Sequence, residues 1–303
     1  MKERSVVPEP HFESYYGKPI IKSPTWKTPD VPLYLFLGGL AGASAVLAEG
    51  ASLARLPALQ RIARSAAAGG AAAGTVALVH DLGRPERFLN MLRVFKVTSP
   101  LSVGSFILAP FAGLTSAALA SDVTGLLPRL GRLAGIGAAT LGPPLATYTA
   151  ALICNTAVPA WHEAHRQMPF VFAGSGAAAA GGLAMMAAPV EQAAPARRMA
   201  LAGAALELGA TEVMTGRLGM VGEPYKQGRS GRLLRVARGL TAGAAGLSLL
   251  ARRSRIVAAL SGAAYVAGSV VTRFGIFEAG LASAKDPKYT VVPQKERLAQ
   301  SAQ

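Results

Sequence analysis

Long apolar runs separated by short basic joints dominate the pattern of this chain. A helix needs roughly 20 mostly apolar residues to cross a bilayer, and eight stretches reach that length. They lie at about 33–54, 63–82, 100–121, 132–157, 168–188, 198–216, 234–251 and 256–278. A membrane β-barrel would instead show alternating segments of about 10 residues. The pattern therefore predicts an all-α integral membrane protein with eight transmembrane helices, arranged as two four-helix bundles.

The predicted transmembrane domain, residues 33–278, lies between two polar terminal segments. Residues 1–32 contain six prolines and no apolar core, which predicts an extended surface arm that docks a partner. Residues 279–303 form a polar C-terminal tail. No signal peptide is recognisable in the arm, so we expect the first span to act as its own insertion signal. Gly142-Pro143-Pro144 predicts a long, bent fourth helix.

Composition agrees with a membrane protein and excludes other classes. Only 16% of the residues are charged, against about 25% in soluble proteins. The net charge of +15 arises from basic residues between apolar runs, so we expect the lipid bilayer and not nucleic acid as the partner. The single cysteine, Cys154, cannot hold an Fe–S cluster alone, and only His80 of the four histidines lies in or beside a span. We therefore expect no haem or Fe–S cluster in this chain.

An even number of spans places both termini on one face, which we call side A. Side A holds 20 of the 31 Lys and Arg residues, and the opposite face, side B, holds 10. The positive-inside rule favours side A in the cytoplasm. Side A also contains far more residues, so this count leaves the orientation open.

Three spans bring protonatable side chains to the same depth on side A. They are Asp30 and Tyr34 of span 1, His80, Asp81 and Arg84 of span 2, and Tyr148 of span 4. Ionisable groups in a membrane are costly and indicate function. A quinone headgroup needs donors to its two carbonyls and groups that exchange protons, and these residue types supply both. The alternative is that they are interface residues, and that Asp81 and Arg84 only cap a helix end.

A second set of charged residues lies deeper or towards side B. It comprises Glu49, Glu207, Glu212, Arg273 and Glu278. Glu207 and Glu212 are five residues apart, about 140° around a helix, so they do not share a face. Glu212 and Arg273 fall at a similar depth and could form a buried pair that locks two helices. The alternative is a proton path that uses Glu49, Glu207, Glu212 and Arg273.

Several sequence motifs together resemble one known family. Residues 81–88 (DLGRPERF) and 98–105 (TSPLSVGS) connect the second and third spans. Supporting segments are Trp26–Gly42, Tyr148–Trp161, Arg273–Glu278 and Asp286–Tyr289. This combination resembles the membrane subunits of the polysulfide reductase (NrfD) family.

The resemblance implies a membrane subunit of a multi-subunit oxidoreductase in the bacterial inner membrane. Such subunits have no redox cofactor of their own and exchange electrons with menaquinone or ubiquinone. They dock a ferredoxin-like four-cluster Fe–S subunit, which contacts a molybdopterin-type catalytic subunit. In the polysulfide reductase branch, two residues at the start of the first span and a Tyr in the fourth contact the quinone. Asp30 and Tyr34 stand at the first two positions, in place of Asn and His, and Tyr148 stands at the third.

These implications give each candidate residue a role. We expect Tyr34 and Tyr148 to orient the quinone carbonyls, and His80 and Asp81 to exchange protons. Arg84 would hold Asp81 or contact the partner, and loop 83–99 with the arm would dock the Fe–S subunit. Two rival interpretations remain. One is a structural anchor without quinone chemistry, and the other is a small-molecule or ion transporter. Transporters typically contain a pair of broken helices, whereas here only span 4 shows such a break.

Overall fold

The structure, a computed structural model, describes residues 20–22, 24–83, 90–252 and 254–301. Within these ranges the chain is helical and contains no β-strand. Most of the arm, Arg84 and the greater part of the DLGRPERF motif lie outside the described residues.

Eight long helices alternate in direction through the described residues. They are α1 (Asp30–Leu53), α2 (Pro57–Asp81), α3 (Pro100–Thr124), α4 (Pro128–Cys154), α6 (Met168–Ala187), α7 (Ala194–Arg217), α9 (Gly228–Leu250) and α10 (Arg255–Lys285). The short helices on side A are α5 (Pro159–Glu163), α8 (Glu223–Lys226) and α11 (Lys288–Ser301). α1 packs against α2, α4 and α6, while α6 packs against α7 and α10, and α9 packs along α10.

Seven of the long helices are apolar and long enough to cross a membrane, and α7 is the exception. α7 falls short because Glu207 and Glu212 interrupt its apolar sequence. The all-α membrane class predicted from the sequence is confirmed.

Several helices extend beyond the apolar runs that predicted them. α2 begins at Pro57 and α9 at Gly228, about one and a half turns earlier than expected, while α10 continues to Lys285. Proline at the first helical position fits a helix start, and long basic side chains at the ends can reach back to the membrane surface. Hydropathy therefore measures the apolar core of a span and not the full helix.

The fourth long helix, α4, runs without interruption through Pro143 and Pro144. Thr147 donates a hydrogen bond to the Pro143 carbonyl at 2.9 Å. Gly142 of α4 crosses Gly42 of α1 so closely that a Cβ on either would overlap the carbonyl of the other. The prolines thus lie in a continuous helix whose backbone packs directly on α1.

A stack of aromatic rings connects the described end of the arm to the second half of the chain. Trp26 stacks on Trp161 with 5.7 Å between ring centroids, and Trp161 packs on Phe277 at 5.5 Å. The buried indole of Trp161 donates to the carbonyl of Ile276 at 2.9 Å. This part of the arm therefore packs within its own chain, over α5 and α10.

A surface ion pair attaches α11 to α8. Lys288 Nζ lies 2.9 Å from Glu223 Oε2, and the Tyr289 hydroxyl donates to the same oxygen at 3.2 Å. The hydrogen bond from Lys288 holds the pKa of Glu223 below its ordinary value. The pair therefore stabilises the attachment of α11 while Glu223 is ionised.

We expect the attachment of α11 to weaken in acid. Because the pKa of Glu223 is lowered by folding, its contribution is complete above the unfolded value of about 4.3. It is lost as the pH falls through the lowered folded value. Amide hydrogen exchange in α11, measured from about pH 6 to about pH 3, should accelerate beyond the intrinsic change. Glu223→Gln should remove this extra acceleration, and an identical pH profile in that variant would contradict the assignment.

Candidate functional site

Two tyrosines from different helices meet near side A. The rings of Tyr34 (α1) and Tyr148 (α4) are edge to face, with 6.4 Å between their centroids. Only 4% of Tyr34 and 8% of Tyr148 is exposed. The hydroxyl of Tyr148 is buried and has no hydrogen-bond partner within the described chain. It is therefore a buried polar atom whose hydrogen-bonding capacity is unused within the described chain.

Gly104 of α3 makes the position of the Tyr148 ring possible. A Cβ at residue 104 would overlap three carbon atoms of that ring. The sequence analysis did not identify Gly104 as a site residue, although it belongs to the TSPLSVGS motif. The role of Gly104 depends on the packing of α3 against α4, which the sequence does not define.

A histidine–carboxylate pair joins the ends of α1 and α2. His80 Nδ1 lies 2.7 Å from Asp30 Oδ2, and the His80 side chain is 73% exposed. When the carboxylate accepts from Nδ1–H, the second ring nitrogen, Nε2, remains available to exchange a proton. The structure thus places Asp30 on His80, whereas the sequence resemblance implied a quinone contact for Asp30.

Asp81 is directed towards the arm. Its Oδ1 accepts a hydrogen bond from the backbone N–H of Lys27 at 3.0 Å. This contact fixes the chain just before α1, next to Trp26. The arrangement suits Asp81 to a positioning role, and its expected partner Arg84 lies outside the described residues.

An apolar groove runs along the outer face of α2 beside His80. Its volume is about 500 Å³, and it is lined by Lys27, Thr75, Val76, Val79, His80 and Gly83. A groove with this mixture of apolar and polar side chains suits a molecule that is largely apolar and carries a few hydrogen-bonding atoms. The groove gives such a molecule a route along α2 towards the imidazole.

The acid of α1 nearest side B, Glu49, belongs to a partly buried ion cluster. Arg64 of α2 lies 2.8 Å from Glu49 and 2.7 Å from Asp122 of α3. Glu49 was a candidate for a proton path, and the structure shows that it has a direct counterion. The three charges connect α1, α2 and α3.

The expected buried pair between Glu212 and Arg273 is absent, and this expectation was wrong. Glu212 pairs instead with Arg238 at 2.9 Å, and 71% of its side chain is exposed. Arg273 is fully buried and donates to the carbonyls of Leu35 (3.3 Å) and Phe172 (2.9 Å). Similar depth did not bring the two residues together, because α7 directs Glu212 outwards while α10 directs Arg273 towards α1 and α6.

The Glu207 side chain has the opposite orientation to Glu212. Only 4% of Glu207 is exposed, and its Oε1 accepts from the Thr272 hydroxyl at 2.7 Å. The predicted separation of the two glutamates around the helix is therefore observed. Glu278 of α10 lies 4.0 Å from Arg229 near side A.

Comparison with known proteins agrees with the motifs. A family model described as "Polysulphide reductase, NrfD" matches residues 21–209, from the end of the arm into α7. A search of curated proteins gives no match. The family comprises membrane subunits of oxidoreductase complexes. Because the match spans more than half of the chain and contains Asp30, Tyr34, His80 and Tyr148, this multi-pass membrane protein belongs to the NrfD polysulphide reductase family.

Proposed function

We propose that this chain is the quinone-reactive membrane subunit of a multi-subunit oxidoreductase in the bacterial inner membrane. It exchanges electrons between an Fe–S partner subunit and the menaquinone or ubiquinone pool. The observation that carries the proposal is the buried, unpartnered hydroxyl of Tyr148 beside Tyr34. The partner subunit is ferredoxin-like with four clusters, and it connects to a molybdopterin-type catalytic subunit.

The two tyrosines fit the needs of a quinone headgroup. A buried hydroxyl without a partner costs about 1–3 kcal/mol, and a hydrogen bond to a ligand carbonyl would recover that energy. Tyr34 provides a second phenol beside it on α1. Their roles are to bind and orient the carbonyl oxygens. A bound quinone supplies the two-electron chemistry, which the side chains of this chain do not provide.

The His80–Asp30 pair provides a proton route to the same end of the helices. Asp30 holds the imidazole in one orientation through Nδ1, so Nε2 can take up or release a proton. The exposed side of His80 contacts solvent and the groove along α2. His80 thus moves protons between water and the site, and Asp30 positions it.

We include α7 as an eighth span, which gives two four-helix bundles, α1–α4 and α6, α7, α9 and α10. α6 ends and α7 begins on side B, with a short connection from Ala188 to Ala193. After α7, the hydroxyl of Tyr225 in α8 donates to the carbonyl of Ala160 in α5, on side A. The start of α7 on side B and the position of α8 on side A support α7 as a helix that spans the membrane.

Exposed apolar residues on side A support docking of the Fe–S subunit there. Val94, Phe95 and Val97 precede α3, and each has more than half of its surface exposed. Phe95 packs on Phe106 of α3 at 5.0 Å between centroids, so the segment is anchored. An exposed apolar patch of this kind is typical of an interface.

Removal of the His80 imidazole tests the proposal. In the assembled complex, we expect His80→Ala to lower quinone-linked turnover about tenfold, because one proton-exchanging hydrogen bond is worth about 1–1.5 kcal/mol. Dye-linked activity of the catalytic subunit should be unchanged. His165→Ala removes an exposed histidine beyond α5 and is the matched control.

Unchanged quinone turnover in His80→Ala would contradict the proposal and favour a purely structural anchor. A loss of dye-linked activity as well would indicate failed assembly. Purification of the tagged chain in mild detergent should also recover Fe–S and molybdopterin proteins together with bound menaquinone or ubiquinone. Recovery of the chain alone and without quinone would favour the transporter alternative.

A further inference from the structure

A cleft in the second half of the chain is separate from the tyrosine site. It has a volume of about 290 Å³ and opens between α7, α9 and α10. Its wall includes the hydroxyl residues Thr211, Thr215 and Thr272 and the apolar residues Met214, Leu234 and Ile276. The ion pair between Glu212 and Arg238 lies at its rim. The cleft is therefore lined by polar side chains from its rim on side A to its inner wall.

Glu207 forms part of the inner wall of this cleft. Its Oε1 accepts from the Thr272 hydroxyl, whereas the buried Oε2 has no hydrogen-bond partner among the residues that the structure describes. Gly174 of α6 packs directly against the backbone of α7 at this residue, so the two helices are in close contact here. The structure therefore holds a half-satisfied carboxyl group next to the cleft.

Among the described residues, none forms an ion pair with this carboxyl group. The nearby Arg273 of α10 donates to the carbonyls of Leu35 and Phe172, and its charge acts on Glu207 without a direct ion pair. Of the helices packed around Glu207, α6 contains no ionisable residue. The acids of α1 are paired elsewhere, Asp30 with His80 and Glu49 with Arg64. The lining of the cleft includes Arg235 and Arg238 of α9 and Tyr225 and Lys226 of α8. The groups of α8 and α9 lie along the cleft and its rim.

We propose that Glu207 is held as a neutral carboxylic acid that exchanges its proton with side A through this cleft. A buried ionised carboxylate is costly unless donors satisfy it, and among the described residues only Oε1 accepts a hydrogen bond. The nearby Ser175 hydroxyl of α6 donates to Ser269 instead. In the exchange, the O–H bond at Oε2 breaks and the proton passes to water in the cleft. The electron pair stays on the carboxylate, which the Thr272 hydroxyl and the nearby charge of Arg273 stabilise until a proton returns. The proposal is independent of the quinone chemistry proposed above.

Infrared spectra of the full chain in lipid test this proposal directly. We expect a carbonyl band of a protonated carboxyl group that is lost in Glu207→Gln and retained in Glu212→Gln, the matched control on the same helix. Transfer into D₂O should shift the band, because the proton exchanges with solvent. Persistence of the band in Glu207→Gln would overturn the proposal, as would a band that does not respond to D₂O.

A second measurement needs no variant and remains decisive if Glu207→Gln fails to fold. The apolar reagent dicyclohexylcarbodiimide modifies carboxyl groups that are protonated in apolar surroundings. Peptide mass spectrometry of the treated wild-type chain should find modification at Glu207 that decreases as the pH is raised, and none at Glu49, which is paired with Arg64. An unmodified Glu207 would show that the group is ionised and would overturn the proposal.

Discussion

Quinone-linked turnover should fall about 100-fold in Gly104→Ala, with dye-linked activity of the catalytic subunit unchanged. The added Cβ would overlap the ring of Tyr148, so the ring and its hydroxyl must move. Displacement of a positioning group by about 1 Å can lower a rate by about 100-fold. Parallel assays of quinone-linked and dye-linked activity in the assembled complex measure this effect.

Gly113→Ala is the matched control for this prediction. Gly113 lies on the same helix, α3, and a Cβ there would meet open space, so turnover should be retained. Tyr148→Phe should reproduce the loss seen in Gly104→Ala, because it removes the hydroxyl without displacing the ring. Wild-type turnover in Gly104→Ala would show that the position of Tyr148 does not limit the reaction.

Arg64→Met should lower the free energy of unfolding by about 3 kcal/mol. Arg64 is the counterion of both Glu49 and Asp122, and removal of one partner from a buried ion pair typically costs about 3–5 kcal/mol. The partial exposure of Asp122 favours the lower end of that range. Chemical unfolding of the purified chain in detergent measures the change.

The control for this variant is Arg61→Met, one turn earlier on α2. Arg61 is exposed, so its removal should leave the unfolding midpoint close to that of the wild type. Equal midpoints for the two variants would show that the Arg64 cluster does not stabilise the packing of α1, α2 and α3.

The convergence of residues on side A could be predicted from the sequence alone. Consecutive spans alternate in direction, so the start of span 1 and the end of span 2 must share a face. This geometry correctly brought Asp30 and His80 together, and it placed Tyr34 near Tyr148. The paired residues are 50 and 114 positions apart along the chain. Their proximity therefore follows from the alternating direction of the spans and not from closeness in the sequence.

The finer contacts could not be predicted, because they depend on rotation of each helix about its axis. Depth alone suggested the pair Glu212–Arg273, whereas the structure directs Glu212 to Arg238. Gly104 lies in the TSPLSVGS motif, but nothing in the sequence assigned it a role different from that of the rest of the 34 glycines. Its importance comes from one ring on α4, a contact that only the packed helices define.

The polarity of α7 has a consequence for biosynthesis. The polar side chains of Glu207 and Glu212 oppose release of α7 from the translocon into lipid as a single helix, since an ionised residue at mid-membrane costs about 2.5–3.5 kcal/mol and even a neutral acid must lose its hydration. α6 contains no ionisable residue, and the backbones of α6 and α7 meet at Gly174 and Gly203. We therefore expect α7, the proposed eighth span, to enter the bilayer together with α6 as a helical hairpin during synthesis.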